Sequence, residues 1–164
     1  MCIRDRNNLV GISLFRVDNP FIQTAFTIFA FIGLYCGDNG YGPTNKLRIS
    51  NADFDRGAFG IIIDAAATIQ GGCISSQPET GLSDSAGLVM GGTGALVNIS
   101  NLDIRNTIGN SLRVEGTNNT LTVTNFTGIN FDMLSTGFPC VEVTASNRVN
   151  LTNIPYITLS LIHI

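Results

Sequence analysis

LVNISNLDIRNTIGNSLRVEGTNNT, residues 96–120, contains one complete unit of a repeat that runs through the chain. Val97 and Ile99 alternate with Asn98 and Ser100, which is the period of a strand with one apolar and one wet face. At Asn101 the phase slips, because the next apolar residues are Leu102 and Ile104. A slip at Asn reads as a corner, since Asn tolerates left-handed backbone and its amide bonds to neighbouring backbone. The polar segment RNTIGN reads as a loop, Leu112 and Val114 as the inward pair of a third strand, and GTNNT as the last corner. Three short strands and three corners thus close one coil of 25 residues.

The phrase recurs as LVGISLFRVDN at 9–19, KLRISNADFDR at 46–56, TLTVTNFTGIN at 120–130 and RVNLTNIPYIT at 148–158. Asn51, Asn101, Asn125 and Asn153 share the corner offset, with Leu14 standing in for Asn in the first copy. Asn51 and Asn101 are 50 residues apart, so a further copy is expected at ATIQGGCI, 67–74, with Gly71 at its corner. The wider first interval is read as an insertion around DNGYGPT, 38–44, a Gly/Pro-rich surface loop. The third strand recurs as Ile61/Ile63, Leu88/Met90, Leu112/Val114 and Val141/Val143. A period of this length with alternation inside it predicts stacked β-rungs rather than a globule. Stacking would place Asn51, Asn101, Asn125 and Asn153 in one ladder of amides, each donating to the next rung.

These features resemble the right-handed parallel β-helix of the pectin-lyase-like group, over roughly residues 9–158. The expected fold is therefore all-β: a right-handed parallel β-helix, or solenoid, of about six rungs. Its handedness is an implication of the resemblance. An antiparallel sandwich would need hairpin signals every 8–12 residues, and those are not the repeat observed.

The termini read differently. MCIRDR at 1–6 and LSLIHI at 159–164 are translations of complementary strands of one short DNA string, similar to a transposon-end sequencing adapter. The natural segment is accordingly taken as 7–158, a single β-helix piece truncated at both ends, and His163, Cys2 and Met1 are set aside.

Charged residues are only 13% of the chain against 44% hydrophobic, which argues against disorder. A net charge of −3 offers no basic footprint for nucleic acid. PFIQTAFTIFAFIGLYCG, 20–37, is the most apolar stretch, but polar residues divide it, so it reads as buried strand and not as a membrane span. Cys36, Cys73 and Cys140 have no metal-ligand spacing and read as small packing residues, with a single disulfide as the alternative. The sequons at Asn98, Asn118, Asn125 and Asn150 are about as many as this Asn-, Ser- and Thr-rich composition yields by chance, so they carry no weight for secretion.

In enzymes of the group that the chain resembles, substrate lies outside one sheet. That exterior column should here hold Ile62, Val89, Arg113 and Glu142, with Asp64, Gly91, Glu115 and Thr144 beside it. The resemblance implies clustered carboxylates, calcium and an Arg base in lyases of this fold, so Arg113, Glu115, Glu142 and Asp64 are the catalytic candidates. No other cofactor is expected, and calcium only if the protein is a lyase. A calcium site needs several oxygens converging, whereas these carboxylates sit on different rungs. An exposed Arg113–Glu142 pair across neighbouring strands is the simpler expectation. Asp53 and Asp55 could share a face, but Arg56 adjoins them, and a solvated strand end fits them better. Glycosidase chemistry would need two suitably spaced carboxylates, and the adjacent Asp pair and the natural His of the hydrolases are missing.

The function expected is thus a non-catalytic segment of a larger secreted or cell-surface protein that binds polysaccharide or other surface components, with flanking rungs of the same chain as its neighbours. A fragment of a polysaccharide lyase or glycoside hydrolase is the alternative, and a phage tail-fibre or adhesin shaft the second.

Overall fold

A computed structural model describes residues 9–78, 84–133, 137–144 and 146–159. Its regular structure is entirely β among the described residues. The strands are β1 (Val10–Phe15), β2 (Phe21–Ile28), β3 (Ile32–Gly37), β4 (Leu47–Asp55), β5 (Phe59–Ile63), β6 (Thr68–Gln77) and β7 (Ala86–Met90). They continue as β8 (Leu96–Arg105), β9 (Leu112–Val114), β10 (Thr120–Phe131), β11 (Val141–Val143), β12 (Arg148–Leu151) and β13 (Tyr156–Leu159).

The odd-numbered strands β1 to β11 form one parallel sheet, and the even-numbered β2 to β12 form a second, with β13 also paired to β10. Each strand therefore pairs with the strand one coil away, and the chain winds through about five turns of a parallel β-solenoid. Ile22, Ile49, Gly71, Ile99, Val123 and Leu151 stand in a single inward file, one per rung. Leu34, Ile61, Leu88 and Leu112 form the facing file on the first sheet, and all four are buried. Each such side chain contributes about 1.5–3 kcal/mol through burial.

The long strands of the second sheet explain the phase slip. In β8, Val97 and Ile99 are buried, Ser100 and Asn101 are both exposed, and Leu102 and Ile104 are buried again. Two successive outward residues bend the strand without breaking its ladder. The first two strands of the expected coil are thus one bent strand. Asn51, Asn101 and Asn125 do not take left-handed backbone there. The positive-φ residues lie near strand starts and ends, at Asn19, Lys46, Asn118 and Ser146, and at Phe29, Arg56, Asn106 and Asn130. Asn153, with φ 50°, is the exception among the corner asparagines.

Three assignments differ from the sequence reading, two of register and one of burial. Residues 9–19 do not align with the other copies: β1 lies in the first sheet, with Leu14 beside Cys36, and Thr24 in β2 occupies the position next to Asn51. The first rung consequently needs no insertion, although 38–44 is indeed a loop, where Asp38 Oδ1 accepts the amides of Gly40 and Gly42 at 2.7 and 3.0 Å. Cys73, not Gly71, sits opposite Asn51 and Asn101. Gly71 points into the core, where a Cβ would come within 2.9 Å of Ile74 Cδ1. Residues 20–37 are likewise not one buried strand: β3 is buried, but β2 carries Phe21 at 59% and Phe26 at 60% exposure on the outer surface. An apolar run has no alternation to separate a two-sided burial from an outward aromatic.

A column of small residues joins the sheets. Gly11, Gly33, Gly60 and Gly87 are stacked at one position of the first sheet, followed by Ser111. Across from them stand Thr27, Phe54, Ser76 and Ile104, followed by Gly128. A Cβ on Gly87 would fall 2.5 Å from Ile104 Cδ1, and one on Gly128 would fall 3.3 Å from Ser111 Oγ. Each pair sets one glycine against a larger side chain, and in the last pair the glycine stands on the second sheet, opposite Ser111.

Candidate functional site

The outer file of the first sheet is Tyr35, Ile62, Val89, Arg113 and Glu142, in direct register. Arg113 is held tightly. Its side chain is 14% exposed, Nη1 donates to both carboxylate oxygens of Asp84 at 3.0 Å, and Nε lies 2.8 Å from Glu115 Oε1. The Nε–H has no well-aligned acceptor, so the Glu115 contact is an ion pair rather than a hydrogen bond. The guanidinium carbon also stands 5.9 Å from the Phe59 ring centre. The guanidinium thus leans toward Asp84 on the preceding coil, and its ion pairs are with Asp84 and Glu115 rather than the expected Glu142. The loop acid Asp84 carries no periodic signal, which is why the sequence does not reveal it.

Asp64 lies farther along the solenoid. Its carboxylate acts on Tyr35, whose phenol is raised above its ordinary range first by burial and then by the Asp64 charge. Gly91 separates Asp64 from Glu115, so these two carboxylates are two rungs apart, roughly 10 Å. The candidates Arg113, Glu115, Glu142 and Asp64 thus share a face but do not converge on a point. Among the described residues, no three His, Cys, Asp or Glu side chains group as metal ligands.

The opposite flank holds a better-formed concavity. Where the second sheet bends, a groove of about 440 Å³ crosses the rungs parallel to the solenoid axis. One wall is the corner file of Thr24, Asn51, Cys73, Asn101 and Asn125, and the other includes Phe26, Asp53, Ser75, Asp103 and Thr127. Its floor is the apolar file of Ala25, Ala52, Ile74 and Leu102. Along the corner wall, Asn153 Nδ2 donates to Asn125 Oδ1 at 3.2 Å and Asn125 Nδ2 to Asn101 Oδ1 at 2.7 Å. Asn101 Nδ2 then meets Cys73 Sγ at 3.4 Å, where sulfur, a weak acceptor, replaces the amide. Cys73 is exposed, while Cys36 and Cys140 are buried, and all three are free thiols.

Asp53 and Asp55 do share the outer face of β4, in separate files with Ser75 and Gln77. Asp53 is part of the groove wall, and its Oδ1 is shielded from solvent without a hydrogen-bond partner. Asp103 holds Arg105 through Nε at 3.0 and 2.9 Å and Nη2 at 2.6 Å.

A second set of asparagines was not singled out in the sequence. Asn119 is 1% exposed; its Oδ1 accepts the Ala95 amide at 2.8 Å and its Nδ2 donates to Gly92 carbonyl at 2.8 Å. Asn147 repeats the device one rung on, accepting from Asn119 N at 2.9 Å and donating to Gly116 carbonyl at 2.7 Å. Within GTNNT and its counterpart these side chains pin the corner that aligns successive long strands. The loop 107–111 is also buried rather than surface-exposed, with Ile108 N donating to Ser85 Oγ and Asn110 Nδ2 to Pro139 carbonyl.

The fold and its groove define a parallel β-solenoid protein with an axial cleft on one bent sheet. The chain matches no protein-family model, no curated protein and no solved structure.

Proposed function

We propose that this chain is a non-catalytic β-solenoid segment of a larger protein outside the cell or on its surface, and that its groove binds an extended polysaccharide. The observation that carries the reading is the groove's repetition: amide, hydroxyl and carboxylate groups recur in register above an apolar floor. A polymer lying along the axis meets an equivalent set of contacts at each rung, about every 4.8 Å. Individually weak contacts then add along the chain.

Affinity electrophoresis through gels containing different polysaccharides tests the reading. The protein should be retarded by at least one polymer, and Ser75→Trp, which fills the middle of the groove, should abolish the retardation. Retardation by none, or retardation unchanged by Ser75→Trp, refutes it. A fragment of a lyase of the pectin-lyase-like group would instead release ultraviolet-absorbing unsaturated products in calcium, and a fibre shaft would form trimers; either result replaces this reading.

A further inference from the structure

We infer that the groove selects an uncharged, hydroxyl-rich polysaccharide and rejects uronate polymers, an inference that rests on the polysaccharide reading above. The selection follows from which groups line the cleft. Among the described residues, Asp53 and Asp103 are the carboxylates that line it, and no Lys or Arg does. Arg105, the neighbouring cation, lies in the adjacent outward file and is committed to Asp103 through both Nε and Nη2. A polymer bearing a carboxylate on every sugar would meet the Asp53 charge and, at Asp103, a carboxylate whose Arg105 partner is already taken, so the wall offers it no free cation. The repulsion is centred on the Asp53 rung, because Asp103 is neutralised by Arg105 and the other wall positions are Phe26, Ser75 and Thr127.

Donors, by contrast, are wanted. Asp53 Oδ1 has been removed from water without gaining a partner. That oxygen is as closed to a ligand as to water, so a ligand hydroxyl meets Asp53 through its other carboxylate oxygen, as a donor to a charged acceptor. Beside it stand Ser75 and Thr127, which both donate and accept, so a chain of hydroxyls can be matched on either side of the carboxylate. The apolar floor and the exposed Phe26 ring complement the C–H faces of sugar rings. Neutral glucans and mannans have this combination of donors, acceptors and apolar faces without net charge.

The test uses the whole chain in affinity gels with a neutral glucan, a neutral mannan, polygalacturonate and alginate. A neutral polymer should retard the protein at low salt, and the polyanions should bind at least about tenfold more weakly. Asp53→Asn, which keeps the shape but halves the acceptor capacity, should weaken neutral binding several-fold and narrow the gap to polygalacturonate. The salt arm needs no variant: raising ionic strength should reduce the discrimination in the wild-type chain by screening the carboxylates. Circular dichroism confirms that Asp53→Asn retains its strands. Tighter groove-dependent binding of polygalacturonate or alginate overturns this inference and leaves the polysaccharide reading standing. Salt-independent discrimination, or neutral binding untouched by Asp53→Asn, overturns the role given to the carboxylates. Binding to no polymer overturns both readings.

Discussion

Gly87 and Ile104 form a size-matched pair across the interior, and changing them together should cost less than the sum of changing each. A methyl at Gly87 would overlap Ile104 Cγ2, with Cδ1 2.5 Å and Cγ1 2.7 Å away, against an optimum near 3.5–4.0 Å. Ile104 is fully buried and cannot move aside, so Gly87→Ala should destabilise by about 1–3 kcal/mol. Ile104→Ala removes the three overlapping atoms and leaves a cavity, at about 2–5 kcal/mol. In the double variant the new methyl enters that cavity, and the loss should fall short of the sum by at least about 1 kcal/mol. Urea titrations followed by circular dichroism give the four free energies, provided each melts in one transition. Gly60 is the control: its Cβ would meet Ser76 Oγ and also the Gly87 carbonyl at 2.5 Å, so trimming Ser76 cannot rescue Gly60→Ala. Additivity of Gly87→Ala and Ile104→Ala within about 0.5 kcal/mol would refute the size-matched column.

Two further predictions concern single positions. Cys73→Asn should join Asn51 to the Asn101–Asn125–Asn153 ladder and stabilise the chain by about 1 kcal/mol, seen as a higher urea midpoint; an unchanged or lower midpoint would count against the ladder's contribution. Burial pushes the Cys36 thiol from 9.0 up to about 12, so the folded state holds it protonated while the unfolded chain ionises first. Stability should therefore be full below pH 9 and decline between pH 9 and about 12, by roughly 4 kcal/mol in the limit, with Cys140 and Tyr35 shifted the same way. Cys36→Ala should lower stability at neutral pH yet flatten this alkaline decline, and an equally steep decline in that variant would assign it elsewhere.

Much of this architecture was legible because a solenoid is nearly one-dimensional. Each rung touches mainly its neighbours, so the interior files Ile49–Ile99–Val123 and Ile61–Leu88–Leu112 can be read by aligning the sequence with itself. The reading failed where the repeat itself is degenerate. In 9–19 the alternation fits either sheet, and only strand pairing shows that β1 belongs to the first. At 67–74, Gly71 has the composition of a corner, but its lack of a side chain serves the packing of Ile74 and Ile99.

Periodicity, the location of the apolar files and the absence of a basic or metal-ligand signature are properties of residue order, and the sequence alone determined them. The groove, the Asp84–Arg113 pairing, the glycine that changes sides at Gly128 and the corner pins Asn119 and Asn147 were decided by tertiary structure. Each depends on which atoms meet between coils 22 to 29 residues apart, and that is set by the exact register and bend of the long strands, not by the alternation that produces them.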